Sequence, residues 1–286
     1  MSNFKRYINV YEFETVLPGN GKTVKFKPIT TGQIKKLLMY ENAEDQAIIE
    51  TALDEILEGC VIGEDFKVSD LYLQDRFFLL LEIRKVTKGN TYQFQTICPS
   101  CGSQSLQTVN LSEMPVKLLD FGKKKVKGSE TPPAQKKKKS QPLQEIKTEE
   151  ISPEIVEKEI SEPDIVEVND RIKVRMSLVT RGIQKQAMEW VKNTYPEAAD
   201  AEKAIQTMTA ILALSIKGII TPDGEETDLS IEDRVYLLDA LTEQEEVKLP
   251  KWFEKYDFGV DFSINIECPQ CHHKSKRDVP LEDFFF

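Results

Sequence analysis

Apolar and polar residues alternate from Val24 through Phe26 to Pro28, and again from Val174 through Met176 to Leu178. A period of two predicts a half-buried strand in each place. Each stretch then reaches a Thr-x-Gly turn, Thr30-Thr31-Gly32 and Thr180-Arg181-Gly182, and passes into a helical pattern. Thr30 or Thr31 stands where a helix N-cap belongs, ahead of Gln33–Tyr40. A second helix is expected over residues 43–58, with Ile48, Ile49, Leu53, Ile56 and Leu57 along one face. Gly59 fits its C-cap, and Gly218 holds the equivalent place after residues 212–216. A third helix starts near Ser69-Asp70 and carries Phe77, Leu80, Leu81 and Ile83, while residues 7–13 read as an edge strand.

Both halves end in the same way. Tyr92–Ile97 alternates into Cys98-Pro99-Ser100-Cys101, and Leu106–Leu111 alternates out of it. Asp261–Glu267 enters Cys268-Pro269-Gln270-Cys271, and Lys276–Leu281 leaves it. Between these landmarks Asp70–Arg76 matches Asp228–Arg234, Leu79-Leu80 matches Leu237-Leu238, and Val109 and Leu111 match Val279 and Leu281. The period is far longer than a solenoid repeat, so the expectation is two copies of one domain.

Residues 122–169 interrupt the pattern. Pro132, Pro133, Pro142, Pro153 and Pro163 punctuate them, with Lys123–Lys125, Lys127 and Lys136–Lys139 early, and Glu149, Glu150, Glu154, Glu157, Glu159, Glu162, Asp164 and Glu167 late. Such a segment buries too little apolar surface to offset an ordering cost of roughly 1–2 kcal/mol per residue. Only Ile151, Ile155, Val156 and Ile160 recur at near-helical spacing, enough for a transient helix. The expected fold is α+β: a first domain over 1–121, a disordered charged linker over 122–169 and a second copy over 170–286. Each domain is a small helical bundle on a β-hairpin tipped by a Cys-x-x-Cys knuckle.

Composition narrows the function. At 286 residues and 40% hydrophobic content the chain can build real cores, and its net charge, 38 − 48 = −10, repels nucleic acid and anionic membranes. No apolar run is long enough to cross a bilayer, and Met1–Arg6 does not lead into a signal peptide's apolar core. With two histidines and no Gly-rich phosphate loop, nucleophile elbow or metalloprotease helix, neither an enzyme nor a small-molecule substrate is expected.

The paired cysteines carry the remaining chemistry. Two sulfurs at a hairpin tip can share one Zn²⁺, but a closed tetrahedral site needs four. The simplest completion packs the copies about a pseudo-twofold axis, so that Cys98, Cys101, Cys268 and Cys271 hold one structural zinc. His272 and His273 offer other ligands in the second hook only. A metal-free knuckle or a disulfide remains an alternative; a redox dithiol is disfavoured, because that motif opens a helix after a strand. Cys60, replaced by Ile219 in the second half, reads as a buried apolar residue. Asp75-Arg76 and Asp233-Arg234 read as local pairs near helix starts, with recognition of a partner as the sharper alternative, and Trp190 and Trp252 read as core or interface. Among Phe284–Phe286, Phe284 reads as packing on the second domain, whereas Phe286 fits packing or a partner anchor equally. The runner-up function is a zinc-ribbon nucleic-acid-binding protein, using Lys136–Lys139 with Lys274, Lys276 and Arg277.

Several of these runs, in order, resemble one family. Val24–Pro28, Ile34–Met39, Gly59-Cys60-Val61, the helix from Asp70 and Asp75 through Phe78–Arg84, and the strand into a cysteine hook are similar to baseplate hub proteins of T4-like contractile-tailed phages. The likeness covers most of residues 22–115 and, more weakly, 170–286. The long charged linker departs from the family pattern, and the second copy lacks the proline after the strand and the cysteine matching Cys60. The resemblance implies a non-enzymatic hub subunit or hub-assembly factor whose partners are other baseplate hub proteins. It also implies assembly in the host cell cytoplasm, with the virion tail baseplate as a second location.

Overall fold

The computed structural model describes residues 11–39, 46–120 and 165–280. It is a mixed helix and sheet protein, in which the described residues up to 119 and from 165 on make one compact unit. The first half runs β1 (Phe13–Val16), β2 (Thr23–Phe26), α1 (Thr31–Leu38), α2 (Gln46–Cys60), β3 (Val61–Ile62), α3 (Leu73–Lys88), β4 (Thr91–Ile97), β5 (Gln104–Asn110) and β6 (Val116–Lys117). The second runs β7 (Ile165–Glu167), β8 (Lys173–Met176), α4 (Arg181–Thr194), α5 (Asp200–Ser215), β9 (Ile216–Thr221), β10 (Gly224–Glu226), α6 (Ile231–Ala240), α7 (Glu243–Glu246), α8 (Lys248–Glu254), β11 (Gly259–Val260), β12 (Ser263–Glu267) and β13 (Lys274–Asp278). In each half two strands precede two helices, a return strand and a third helix, and a cysteine-tipped hairpin comes near the end.

Local chemistry explains the helix starts. Thr30 caps α1 and Thr180 caps α4, each hydroxyl accepting the backbone N–H three residues on; Gln33 completes a capping box at Thr30. Helix α4 then buries Ile183, Ala187 and Val191, a stripe at four-residue spacing, against Ala210 and Leu214 of α5. The main core joins Phe26, Leu57, Leu79 and Ile83 of the first half to Ile266 and Val279 of the second. Further joints are β6 with β11, and the hydrogen bonds Arg181 N to Leu71 O and Leu73 N to Val179 O.

Several expectations differ from what is found. The third helix begins at Leu73, because Val68–Asp70 form a separate 3₁₀ turn. Gly59 does not end α2, which continues through Cys60; a Cβ there would lie 2.6 Å from Gln33 Nε2, so the glycine answers a close approach. Gly218 lies inside β9 and does not end α5. Ile48 is exposed rather than part of the α2 core face. Most of the expected linker lies outside the described residues, but β7 and the fully buried Val168 show folded chain resuming before residue 170. Residues 7–10, Leu281 and Phe284–Phe286 also lie outside them.

Asp75-Arg76 is not the local pair expected near a helix start. Both residues are fully buried, since the face of α3 that carries them is covered from two sides. Arg76 meets Asp54 and Glu50 of α2, and Arg181 from the second half meets the same two carboxylates. Asp233, by contrast, is the local group expected, an exposed capping-box partner of Ser230.

Gly182 shows why the second Thr-x-Gly turn needs its glycine. A Cβ would lie 2.9 Å from the carbonyl oxygen of Ser69, whereas at Gly32 it would meet nothing nearer than Thr30 Oγ1 at 3.8 Å. Gly182→Ala is expected to lower stability by about 1–3 kcal/mol, an overpacking cost, and Gly32→Ala to leave it nearly unchanged. Chemical denaturation of the two variants checks the contrast.

Asp75 accepts the Gly19 N–H on Oδ1 at 2.7 Å, while Oδ2 has no hydrogen-bond partner among the described residues. Burial raises its carboxyl from 3.8 to about 6, against the lowering effect of the Gly19 and Asn20 N–H groups. The folded state therefore holds the proton more tightly than the unfolded chain. Its contribution to stability is present below about pH 4 and is lost as pH rises through about 6. The swing is about 2–3 kcal/mol at roughly 1.4 kcal/mol per pH unit. Asp75→Asn is expected to remove that slope, measured as the difference in unfolding free energy between pH 4 and pH 7.

Candidate metal centre

Two antiparallel hairpins build the site. In β4–β5, Tyr92 pairs with Val109 and Ile97 with Gln104; in β12–β13, Ile264 pairs with Arg277 and Glu267 with Lys274. Alternation turns Tyr92 and Phe94 of the first hairpin and Ile266 of the second into a shared core. The Tyr92 hydroxyl donates to Pro280 O at 2.9 Å, just beyond the second hairpin.

The hairpin tips have the same construction. Cys98 N donates to Ser103 O and Gly102 N to Cys98 O; Cys268 N donates to His273 O and His272 N to Cys268 O. The residue after each second cysteine is left-handed, Gly102 at φ 71° and His272 at φ 57°. Glycine adopts this conformation freely, while histidine is among the few other residues that tolerate it.

These tips bring all four candidate sulfurs together. The Sγ atoms of Cys98, Cys101, Cys268 and Cys271 lie within 4.8 Å of one another. Two contacts cross between hooks, Cys98 to Cys271 and Cys101 to Cys268, each at 3.7 Å. Four sulfurs arranged tetrahedrally about one ion at about 2.3 Å would stand about 3.8 Å apart. The set therefore fits a tetrahedral thiolate-bound ion such as zinc. Cys98 and Cys268 are buried, Cys101 and Cys271 exposed, and none is in a disulfide.

The sulfurs compete for charge. The Ser103 hydroxyl, 3.1 Å from Cys101 Sγ and 3.2 Å from Cys268 Sγ, is the largest influence lowering both thiols, Cys268 to about 6. At Cys271 the His273 N–H favours the thiolate, but desolvation and the three neighbouring sulfurs outweigh it and push the thiol up to about 11. A central cation would relieve this competition.

Neither histidine joins the cluster: His272 Nδ1 is 3.1 Å from Glu267 Oε1. Ser103 is the residue that sequence reasoning missed. Its position matches His273, so nothing in the duplicated pattern marks a bridging hydroxyl there. Cys60 stands apart, buried beside Gln33, its thiol raised to about 11 by burial. Trp252 is in the core, whereas Trp190 is partly buried and donates to Glu232. No helix of the described residues is long and apolar enough to cross a membrane.

A family model described as T4 bacteriophage base plate protein matches residues 9–286. No curated protein and no solved structure matches the chain.

Proposed function

The chain belongs to the T4 bacteriophage base plate protein family, and on that premise we propose that it is a non-enzymatic hub subunit or hub-assembly factor of the tail baseplate. It acts by binding other baseplate hub proteins, is assembled in the host cell cytoplasm, and carries one structural zinc on Cys98, Cys101, Cys268 and Cys271. The single observation that carries the zinc reading is the meeting of four sulfurs from two hooks 167 and 173 residues apart, at the spacing of one tetrahedral ion. The family match supports the hub reading, together with the resemblance of Val24–Pro28 and Phe78–Arg84 to hub proteins.

The duplicated plan supports the same reading. Two related copies, one ending at residue 121 and one that β7 opens at Ile165, would each give one hook, and the ion would join them. The charged segment between them would span the gap. Nucleic-acid binding gains no support at the hairpins. On the outward face of β12–β13, Lys274 lies opposite Glu267 and Lys276 opposite Asn265, with Asp278 next along the same face, and the outward positions of β4–β5 carry no charge.

Elemental mass spectrometry of the purified full chain tests the metal. About one zinc per chain supports a shared site; about two means separate sites completed from outside, and none refutes the reading. Co-expression with the other baseplate proteins of the same phage tests the role, and failure to purify a stoichiometric complex with any of them refutes it.

A further inference from the structure

We propose that the same four sulfurs are also an oxidative modification site. In the metal-free protein a hydroperoxide converts them into two cross-hook disulfides, Cys98–Cys271 and Cys101–Cys268. The inference rests on the cysteine geometry that underlies the zinc reading, but does not require that zinc ever binds.

Both pairs have Sγ atoms 3.7 Å apart, and both join a hook of one half to a hook of the other. Each also combines one exposed sulfur, Cys271 or Cys101, with one buried sulfur, Cys98 or Cys268. That pairing divides the chemistry. The exposed sulfur, the one the oxidant reaches, attacks a peroxide oxygen through its thiolate fraction, which is the smaller at Cys271; the S–O bond forms as the O–O bond breaks, leaving a sulfenic acid and, after proton transfer, water. The buried partner, shielded from the oxidant, then attacks that sulfur as thiolate. The S–S bond forms, the S–O bond breaks, and hydroxide leaves and takes up the proton the partner lost. Each disulfide thus consumes one hydrogen peroxide, oxidises two thiols and yields two waters.

The scaffold sets each cross-hook pair close to bonding distance. Backbone hydrogen bonds fix both turns, so each pair need close only from 3.7 Å to about 2.05 Å, by small side-chain rotations. The Ser103 hydroxyl contacts both Cys101 and Cys268, and can donate to the leaving oxygen at that pair. A metal-bound form suits a reducing cytoplasm and a disulfide form an oxidising exterior, so the halves stay joined in both.

The test uses the full chain, stripped with a chelator, treated with hydrogen peroxide, alkylated and digested without reduction. Alkylatable thiols should fall from five to one, Cys60. The peptide holding Cys98 and Cys101 should be recovered bonded to the one holding Cys268 and Cys271. Recovery of each peptide unlinked, with an internal disulfide, overturns the inference. Two double variants assign the pairs. Cys101→Ser/Cys268→Ser leaves Cys98 with Cys271 and should cross-link, seen as a mobility shift on a non-reducing gel. Cys101→Ser/Cys271→Ser leaves the two buried sulfurs and should lose most of that cross-linking; equal rates overturn the assignment. Zinc is measured separately on untreated protein. Linked peptides without zinc refute the metal and leave this inference standing, while zinc with unlinked peptides does the reverse.

Discussion

With one zinc held on the four sulfurs as proposed, Cys98→Ser is expected to release it and lower the unfolding free energy by on the order of 5 kcal/mol. That is well short of the about 10–16 kcal/mol that structural zinc supplies to peptides with no fold of their own. The difference has a local cause. The hairpins also share an apolar core through Tyr92, Phe94, Ile266 and Val279, which remains when the ion leaves. A serine hydroxyl stays protonated near neutral pH and is a poor fourth ligand, so one substitution opens the site. Chelation of the wild type should cost about as much as the substitution, and the variant should no longer respond to chelator. Cys268→Ser should behave in the same way, although it lies in the other half. If one ion is shared, the Cys98→Ser/Cys268→Ser double variant loses little more than either single variant; separate ions would make the losses add. Cys60→Ser is the control: it places a hydroxyl in a buried position at a cost of about 1–3 kcal/mol and leaves the metal content unchanged. A Cys98→Ser protein that keeps its zinc and its denaturation midpoint would refute the shared centre.

How much of this could be seen in the chain depended on distance along it. The hairpins show as period-two runs, the knuckles as Cys-Pro-x-Cys, and the caps as Thr30 and Thr180, because each is decided within a few residues. Gly59 misled for the same reason. Glycine after an apolar stripe normally marks a helix end, but here a glutamine side chain from α1 takes the space its Cβ would fill. The start of β7 was hidden in acidic composition: Ile165 and Glu167 face outward or to the rim, and Val168 is the one deeply buried residue beside them. Least legible were Asp75 and Arg76. A charged pair near the start of a helix reads alike whether water or a second half of the chain covers it. The partners that decide the matter lie 56, 22 and, for Arg181 with Asp54, 127 residues away.

Asp54→Ala is expected to cost about 3–5 kcal/mol, because it strands buried cations. Asp54 receives Arg76 Nε on Oδ1 and Arg181 Nε on Oδ2, both at 2.8 Å, and all three side chains are buried. After the substitution Arg76 keeps Glu50, through Oε2 at 2.9 Å and the carbonyl at 3.1 Å. Among the described residues Arg181 keeps Gln184 at 2.6 Å and the more distant Glu50 Oε2 at 3.6 Å. The loss should therefore fall mainly on the N-terminus of α4, where hydrogen exchange should rise more than at α3. Arg181→Met in the Asp54→Ala background should recover part of the stability, since it removes the stranded charge along with its partner. Replacing Asp54, Arg76 and Arg181 together by apolar residues of similar volume should recover more, as paired buried charges are costly to break yet contribute little net stability. If Asp54→Ala melts like the wild type, water reaches this cluster and the two halves are held by their apolar contacts. If the triple replacement is worse than the single, the charges contribute directly to stability. Either result would show that the buried charge cluster works differently from the latch described here, in which the first half supplies Glu50, Asp54 and Arg76 and the second supplies Arg181.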